Sequence, residues 1–510
     1  MSEAATGCSV WNSSPKPNNE QVLTQAIPFQ IDFHQGTLRL RGLDDATVQR
    51  IMPVVALTDD TRQGCWLCDA MHAATIRNLL GLDAAGIDCR LNDEAIGRTL
   101  TIAQKRLPTL REDQVHAVEA FEQGGRRGLV VMPTGTGKTV VALSLIARQS
   151  TSTLVVVPVR DLMYQWHARI LETLGIDAGL IGDGVHRVSP ISVTTYDSAA
   201  IHMPRIGDRF DMIIFDEVHH LAGTWRSDAA RMSMATIRLG LTATPPSAPQ
   251  RMALLNELVG ETLYRQAIEQ ASGKTLAEYS VRRIAVRMDE TETNAYRNYG
   301  KTIQQFVACC REENPNFQWD DTYKLVADAK ANPDLALAAG TALRAFRGKR
   351  KIEEQTRAKF RVLEDLFRLH AGSPVLVFTG SNVMARRIAM RFMVPCLLSH
   401  CAKRERQDLI AGFAEGRYPV LVANRVLDEG VDLPAVKTAI VLGGMASTRQ
   451  AIQRLGRVLR RSPSGESAQF YEIVTEDSNE VQRSRDRRRN TAYQLKTRRS
   501  SPNADAKVPS

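Results

Sequence analysis

The chain has 510 residues, 43% of them hydrophobic, with a formal charge of +10 and a pI near 9.3. That length holds more than one core, about two to four domains, and the composition excludes a fibre or a largely disordered chain. No apolar run approaches the roughly 18 residues that cross a bilayer, and Met1-Ser2-Glu3-Ala4-Ala5 has no signal-peptide pattern, so a cytoplasmic location and polyanionic partners are expected.

Residues 1–20 are polar, contain Pro15 and Pro17, and are predicted to be disordered. Residues 21–105 read as a small α+β domain, in which 37–41 alternates like a strand and 69–80 follows a helical period. Cys65-x-x-Cys68, followed by His72 and Cys89, has half the pattern of a zinc site. No second CxxC pair completes it, and eight scattered cysteines in so long a chain fit reduced thiols.

From 106 to 280, β-rich runs at 129–132, 153–157, 191–194, 212–215 and 237–241 alternate with helical stretches. That order implies a parallel sheet covered by helices on both faces. The first run leads into Pro133-Thr134-Gly135-Thr136-Gly137-Lys138-Thr139. Such a strand, tight loop and helix start form a phosphate cradle: the glycines let backbone N–H groups approach a triphosphate, Lys138 reaches its β- and γ-phosphates, and the Thr139 hydroxyl suits Mg²⁺. The apolar run 210–215 then delivers Asp216-Glu217-Val218-His219 to a strand end. Asp216 suits the Mg²⁺ shell, and Glu217 suits positioning and deprotonating the attacking water. His219 and His220, if adjacent on a strand, would point to opposite faces, which counts against a metal pair.

Residues 281–358 read as helices, with a basic cluster of Arg344, Arg347, Lys349, Arg350 and Lys351 expected on a solvated face. The α/β alternation returns over 359–480, with strands expected at 375–379, 420–423, 438–442 and 469–474. This half has no second phosphate loop, so ATP is expected between two similar sheets. On a helix, Gln453, Arg457 and Arg460 of Gln453-Arg454-Leu455-Gly456-Arg457-Val458-Leu459-Arg460-Arg461 share one face. Guanidinium groups so placed neutralise a transferring phosphoryl group. The tail, 481–510, carries nine Lys/Arg against two Asp.

The ordered set Gly135 to Thr139, Asp216 to His219, Gly240-Leu241-Thr242-Ala243-Thr244-Pro245 and 453–461 resembles the superfamily 2 helicases, and more narrowly the prokaryotic XPB family of DNA helicases. Gly443-Gly444, Phe470 to Val474, Gly36-Thr37-Leu38 and Asp60 to Gly64 are also similar to that family. The resemblance implies two RecA-like domains, 106–280 and 359–480, a damage-recognition-like domain over 21–105, and a thumb-like helical insertion over 281–358. It further implies that Arg111 and Gln114 contact adenine, that Pro158, Arg160, Thr194 and Thr195 grip one strand's phosphates, and that His219, Thr242 and Thr244 couple the two sites. Gly430 and Asp432 would face the nucleotide from the second domain. The family's Arg-Glu-Asp tripeptide is replaced by Pro245-Pro246-Ser247, which counts against efficient unwinding, and Ala423 to Gly430 departs from the general helicase pattern.

The expected activity is thus an ATP- and Mg²⁺-dependent 3′-to-5′ helicase or translocase on duplex or forked DNA. The residues alone leave open an RNA substrate, or a motor in a restriction or phage-defence complex whose cutting needs a partner nuclease. A non-hydrolysing, ATP-gated DNA-binding scaffold is opposed by the intact Lys138, Thr139, Asp216, Glu217, Arg457 and Arg460.

Overall fold

The computed structural model describes residues 30–81, 100–102, 106–223, 225–271, 275, 278–328, 330, 332–398, 400–424, 436–443 and 467–488. They form three sheets and a helical hairpin.

The N-terminal sheet is antiparallel, in the order β1 (Gln30–His34), β2 (Thr37–Arg41), β4 (Cys65–Asp69), β3 (Thr58–Asp60). Alternation of Leu38 and Leu40 with Thr37, Arg39 and Arg41 turns one face onto helices α1 (Asp45–Ile51) and α2 (Ala73–Leu80). The helix expected from Asp69 starts later: Asp69 closes β4, Ala70–His72 makes a 3₁₀ turn, and the α-helix begins at Ala73. Pairing of Asp69 with Thr37 in the ladder overrides its place in the helical pattern. Met234, from the next sheet's lobe, completes this core, and Arg231 bridges Asp69 at 2.9 Å.

The first large sheet runs β12 (Thr262–Arg265), β5 (Arg127–Val131), β11 (Ile237–Thr242), β10 (Met212–Asp216), β6 (Thr153–Val157), β9 (Ile191–Thr195), β7 (Gly179–Gly182), β8 (Val185–Arg187). All neighbours are parallel except β7 and β8. Runs such as Thr-Leu-Val-Val-Val are buried throughout because helices cover both faces. The helices are α3 (Glu112–Gln123), α4 (Lys138–Gln149), α5 (Arg160–Leu174), α6 (Tyr196–Ile206), α7 (Asp228–Arg231), α8 (Pro249–Leu258) and α9 (Ile268–Ala271).

The second large sheet is wholly parallel, in the order β13 (Tyr279–Val286), β18 (Ala468–Thr475), β17 (Thr438–Leu442), β14 (Val375–Thr379), β16 (Val420–Ala423), β15 (Cys396–Leu397). Residues 281–286, expected to be helical, form this edge strand, paired along its whole length with β18. The helical segment α10 (Glu290–Glu313), α11 (Asp321–Ala327) and α12 (Pro333–Gln355) therefore leaves and re-enters one lobe. Helices α13 (Arg357–Leu369), α14 (Asn382–Phe392), α15 (Lys403–Ala414) and α16 (Asn479–Arg488) cover that lobe. Among the described residues no helix is long and apolar enough to cross a membrane.

Candidate nucleotide site

Three neighbouring strands of the first large sheet end together. Val131 of β5 is in register with Thr242 of β11, and Leu241 of β11 with Asp216 of β10. The loops that leave these strands therefore meet at the sheet's carboxyl edge, where open α/β sheets bind ligands.

After β5 the chain turns through Gly135 (φ 88°) and Gly137 (φ 81°), left-handed conformations that side chains disfavour, and enters α4 at Lys138. A Cβ on Gly137 would come within 2.5 Å of Gln114 Nε2, so contact as well as torsion requires glycine there. Thr136 folds its hydroxyl onto the Pro133 carbonyl at 2.7 Å, and buried Lys138 donates to the Met132 carbonyl at 3.3 Å. That donation leaves Lys138 other N–H donors for an anion. Thr139 occupies the first turn of α4, whose free N–H groups and dipole favour phosphate. Among the described residues the buried hydroxyls of Thr134 and Thr244 have no partner, which fits a polar ligand at this edge.

Asp216 closes β10. Its carboxylate accepts from Trp166 Nε1 at 2.9 Å and from the Glu217 backbone N–H at 3.0 Å, and its carbonyl accepts from the Tyr196 hydroxyl at 3.0 Å. Burial, followed by the Glu217 charge, pushes the Asp216 carboxyl up to about 6, against the Trp166 hydrogen bond and the Lys138 charge. Glu217 has φ 49°, a left-handed conformation that costs a non-glycine residue about 1–3 kcal/mol and recurs at functional sites. This turn carries the Glu217 side chain to Thr242, whose hydroxyl lies 3.4 Å from Glu217 Oε2. His219 Nδ1 stands 3.4 Å from that hydroxyl and 3.5 Å from Glu217 Oε2, and the Thr244 N–H donates to Thr242 Oγ1 at 3.1 Å. The structure thus assembles Lys138, Asp216, Glu217, His219, Thr242 and Thr244 at one edge.

His219 and His220 are not on a strand. Val218–Ala222 is a 3₁₀ turn, which stands the rings side by side, 4.4 Å apart, instead of on opposite faces. His220 faces Arg226 at 3.2 Å, and among the described residues no group of three His, Cys, Asp or Glu side chains is placed for a metal. Cys65 and Cys68 are buried free thiols, and burial pushes Cys68 up to about 12. A hard-oxygen pair, Thr139 and Asp216, completed by phosphates and water, is the donor set Mg²⁺ accepts.

Arg111 and Gln114, the residues expected to contact adenine, stand against the phosphate loop. Both donate to the Thr136 carbonyl, Gln114 Nε2 at 3.1 Å, while Gln114 Oε1 accepts the Arg111 backbone N–H at 3.1 Å. They brace the phosphate loop against α3.

Among the expected strand-gripping residues, Pro158 precedes α5, and Arg160 is exposed at its start, paired with Asp183 at 2.7 Å. Thr194 has no exposed side chain and donates to the Ile181 carbonyl at 2.7 Å; Thr195 caps α6, accepting from the Ser198 N–H at 3.2 Å. The lobes touch through Arg406 of α15 and Asp161 of α5, 2.6 Å apart. Gly430, Asp432, Gln453, Arg457 and Arg460 lie outside the described residues, as do Cys89 and the tail beyond 488. Trp166 and Tyr196 were not singled out from the sequence; their only signal was a polar-tipped aromatic in a buried helical position, where an N–H or O–H seeks a partner.

Residues 107–247 match the family model described as type III restriction enzyme, res subunit, and residues 358–462 match the helicase conserved C-terminal domain. The chain is 37% identical to the DNA 3′-5′ translocase XPB2 of Sulfurisphaera tokodaii over 379 residues, 74% of this chain and 84% of that protein. It is 28% identical to the DNA 3′-5′ helicase XPB of Kineococcus radiotolerans, over 76% of this chain and 63% of that protein. The fold is similar to the Pyrococcus furiosus Hef helicase domain, with TM-score 0.55 and 16% identity, over 76% of this chain and 100% of that one.

Proposed function

The chain belongs to the XPB-like family of superfamily 2 helicases, and on that premise we propose that it couples ATP hydrolysis to 3′-to-5′ movement along DNA in repair or genome maintenance. The observation that carries this reading is the meeting of the Gly137–Lys138 helix start, the Asp216–Glu217 pair and Thr242 at one sheet edge.

In this reading the loop N–H groups and Lys138 hold the triphosphate, with Gln114 and Arg111 keeping the loop in its receptive shape. Thr139 and Asp216 would hold Mg²⁺, which when bound neutralises charge on the phosphate oxygens. Glu217 orients the attacking water and takes its proton, and the Thr242 hydroxyl and His219 fix the direction in which that carboxylate points. By the family resemblance, Arg457 and Arg460 would supply positive charge to the transferring phosphoryl group together with Gln453, and Gly430 and Asp432 would contribute to nucleotide binding. Because Thr242 and Thr244 lie on the strand end beside Glu217, loss of the γ-phosphate alters the contacts that set the edge of the first lobe. Lobe closure and reopening then move the protein along one strand. Arg160, exposed at the start of α5, is positioned to meet a phosphate; Thr195 caps α6 beside it, and Thr194 buttresses the sheet beneath.

DNA-stimulated ATPase activity tests the site. Lys138→Ala and Glu217→Gln should each abolish stimulation while leaving the melting transition in place; wild-type turnover in either refutes the assignment. Comparing DNA with RNA oligonucleotides tests the polymer. The restriction-subunit family match over 107–247 favours a second reading, a motor that serves a partner nuclease, which co-purification with a nuclease chain would support.

A further inference from the structure

A buried polar cluster stands outside the nucleotide site, where the helical segment returns to the second lobe. Lys359 of α13 has no exposed surface and donates to Glu480 Oε2 of α16 at 2.7 Å and to the Glu353 carbonyl of α12 at 2.6 Å. Glu353, equally buried, accepts from the Tyr296 hydroxyl of α10 at 2.6 Å and from Arg483 of α16 at 2.6 Å. The Thr475 backbone N–H, at the end of β18, donates to Glu480 Oε2 at 2.9 Å. Two cations and two carboxylates thus neutralise one another, all of them away from water except Arg483, whose side chain is 34% exposed. Such clusters stabilise less than an apolar core of the same volume would, and their attested use is to fix one arrangement among several.

The same cluster touches the end of β17. Gly443, the next residue, has φ 40°, and a Cβ there would overlap Glu480 Oε1 and approach Lys359 Nζ at 2.8 Å. Among the described residues Glu480 Oε1 is itself buried without a hydrogen-bond partner. From Gly443 the sequence runs on to Gln453, Arg457 and Arg460. One set of side chains therefore ties both long helices of the insertion to α13, β18, α16 and the strand end that leads to those arginines.

We propose that Glu353, Lys359 and Glu480 are positioning residues that make the helical insertion and the second lobe a single body and seat Gly443 against it. A push by DNA on the insertion is thereby delivered to the nucleotide-facing end of the second lobe. This rests on the ATP-driven DNA motor reading. None of the three touches nucleotide; they act through the backbone they hold.

The test compares wild type with Lys359→Met/Glu480→Gln, a pair of changes that removes both charges together and leaves no lone buried ion. Melting temperature, ATPase with and without DNA, ATP KM, DNA affinity and triplex displacement per ATP are measured. The expected result is a melting transition, basal ATPase, KM and DNA affinity near wild type, with DNA stimulation and displacement per ATP lower by about 5- to 30-fold. Wild-type stimulation and displacement in the folded double variant would overturn the proposal. If that variant does not fold, Glu353→Gln/Arg483→Met, which removes the cluster's other ion pair as a unit, carries the decision: lower stimulation in the folded variant supports the joint, and unchanged stimulation refutes it. A wild-type protein without DNA-stimulated ATPase would instead sink the motor reading itself.

Discussion

Gln114→Ala separates two roles that one side chain can have at a nucleotide site. Gln114 is buried in the first turn of α3; its Nε2 donates to the Thr136 carbonyl of the phosphate loop at 3.1 Å, and its Oε1 accepts the Arg111 N–H at the start of α3 at 3.1 Å. A neutral hydrogen bond contributes about 0.5–1.5 kcal/mol net, and an orphaned buried group costs about 1–3 kcal/mol. The Arg111 guanidinium still reaches the Thr136 carbonyl in the variant, so the lower range applies, and phosphate affinity should fall by about 2- to 13-fold. The assay is equilibrium titration with a fluorescent ATP analogue, competed by ATP and by inorganic tripolyphosphate. A loop brace predicts that both competitors weaken by the same factor. Weakening of ATP alone would show that Gln114 acts on adenine and refute the brace.

Further expectations concern pH, capping and lobe contact. The folded carboxyl of Asp216 is raised to about 6 from an ordinary 3.8, so between these values the folded state holds the proton more tightly than the unfolded one. The contribution of Asp216 to stability without nucleotide should therefore fall as pH rises through that window, and the wild type's difference from Asp216→Asn should move in the variant's favour by on the order of 2–3 kcal/mol between pH 4 and 7. Denaturant melts at both pH values check this; a constant difference contradicts it. Thr195→Ala should lose about 1 kcal/mol of stability with the loss of the α6 cap while leaving the salt dependence of DNA binding unchanged. Arg160→Ala should lower that salt slope by about 1 with little effect on melting. Arg406→Gln removes the partly buried inter-lobe pair with Asp161 and should shift the lobes toward separation by about 2- to 5-fold, seen as a larger radius of gyration in solution scattering; an identical scattering curve would show that the pair does not set the spacing.

What was legible in the sequence is what local chemistry dictates. The runs at 153–157, 375–379, 420–423 and 438–442 are strands with those bounds, because fully buried parallel strands are short apolar runs that little else resembles. The phosphate loop and Asp216-Glu217 were also readable, since glycines and paired carboxylates in that order have few other uses. The edge strand β13 was not, since Tyr279–Val286 places Arg282 and Arg283 where a buried strand would be apolar, and only its pairing with β18 reveals it. Contacts to a distant partner were also hidden. Trp166 lies fifty positions from the carboxylate it serves, and Gln114 twenty-two from the carbonyl it holds. Thr194 and Thr195, side by side in sequence, divide into a buried sheet contact and a helix cap because alternate strand residues face opposite ways.

Triplex displacement with ATP and Mg²⁺, wild type beside Glu217→Gln, tests most directly whether hydrolysis at this sheet edge drives movement on DNA. Displacement of the third strand by wild type, and none by the variant despite retained ATP and DNA binding, is the predicted outcome. Equal displacement by the two proteins would contradict the account.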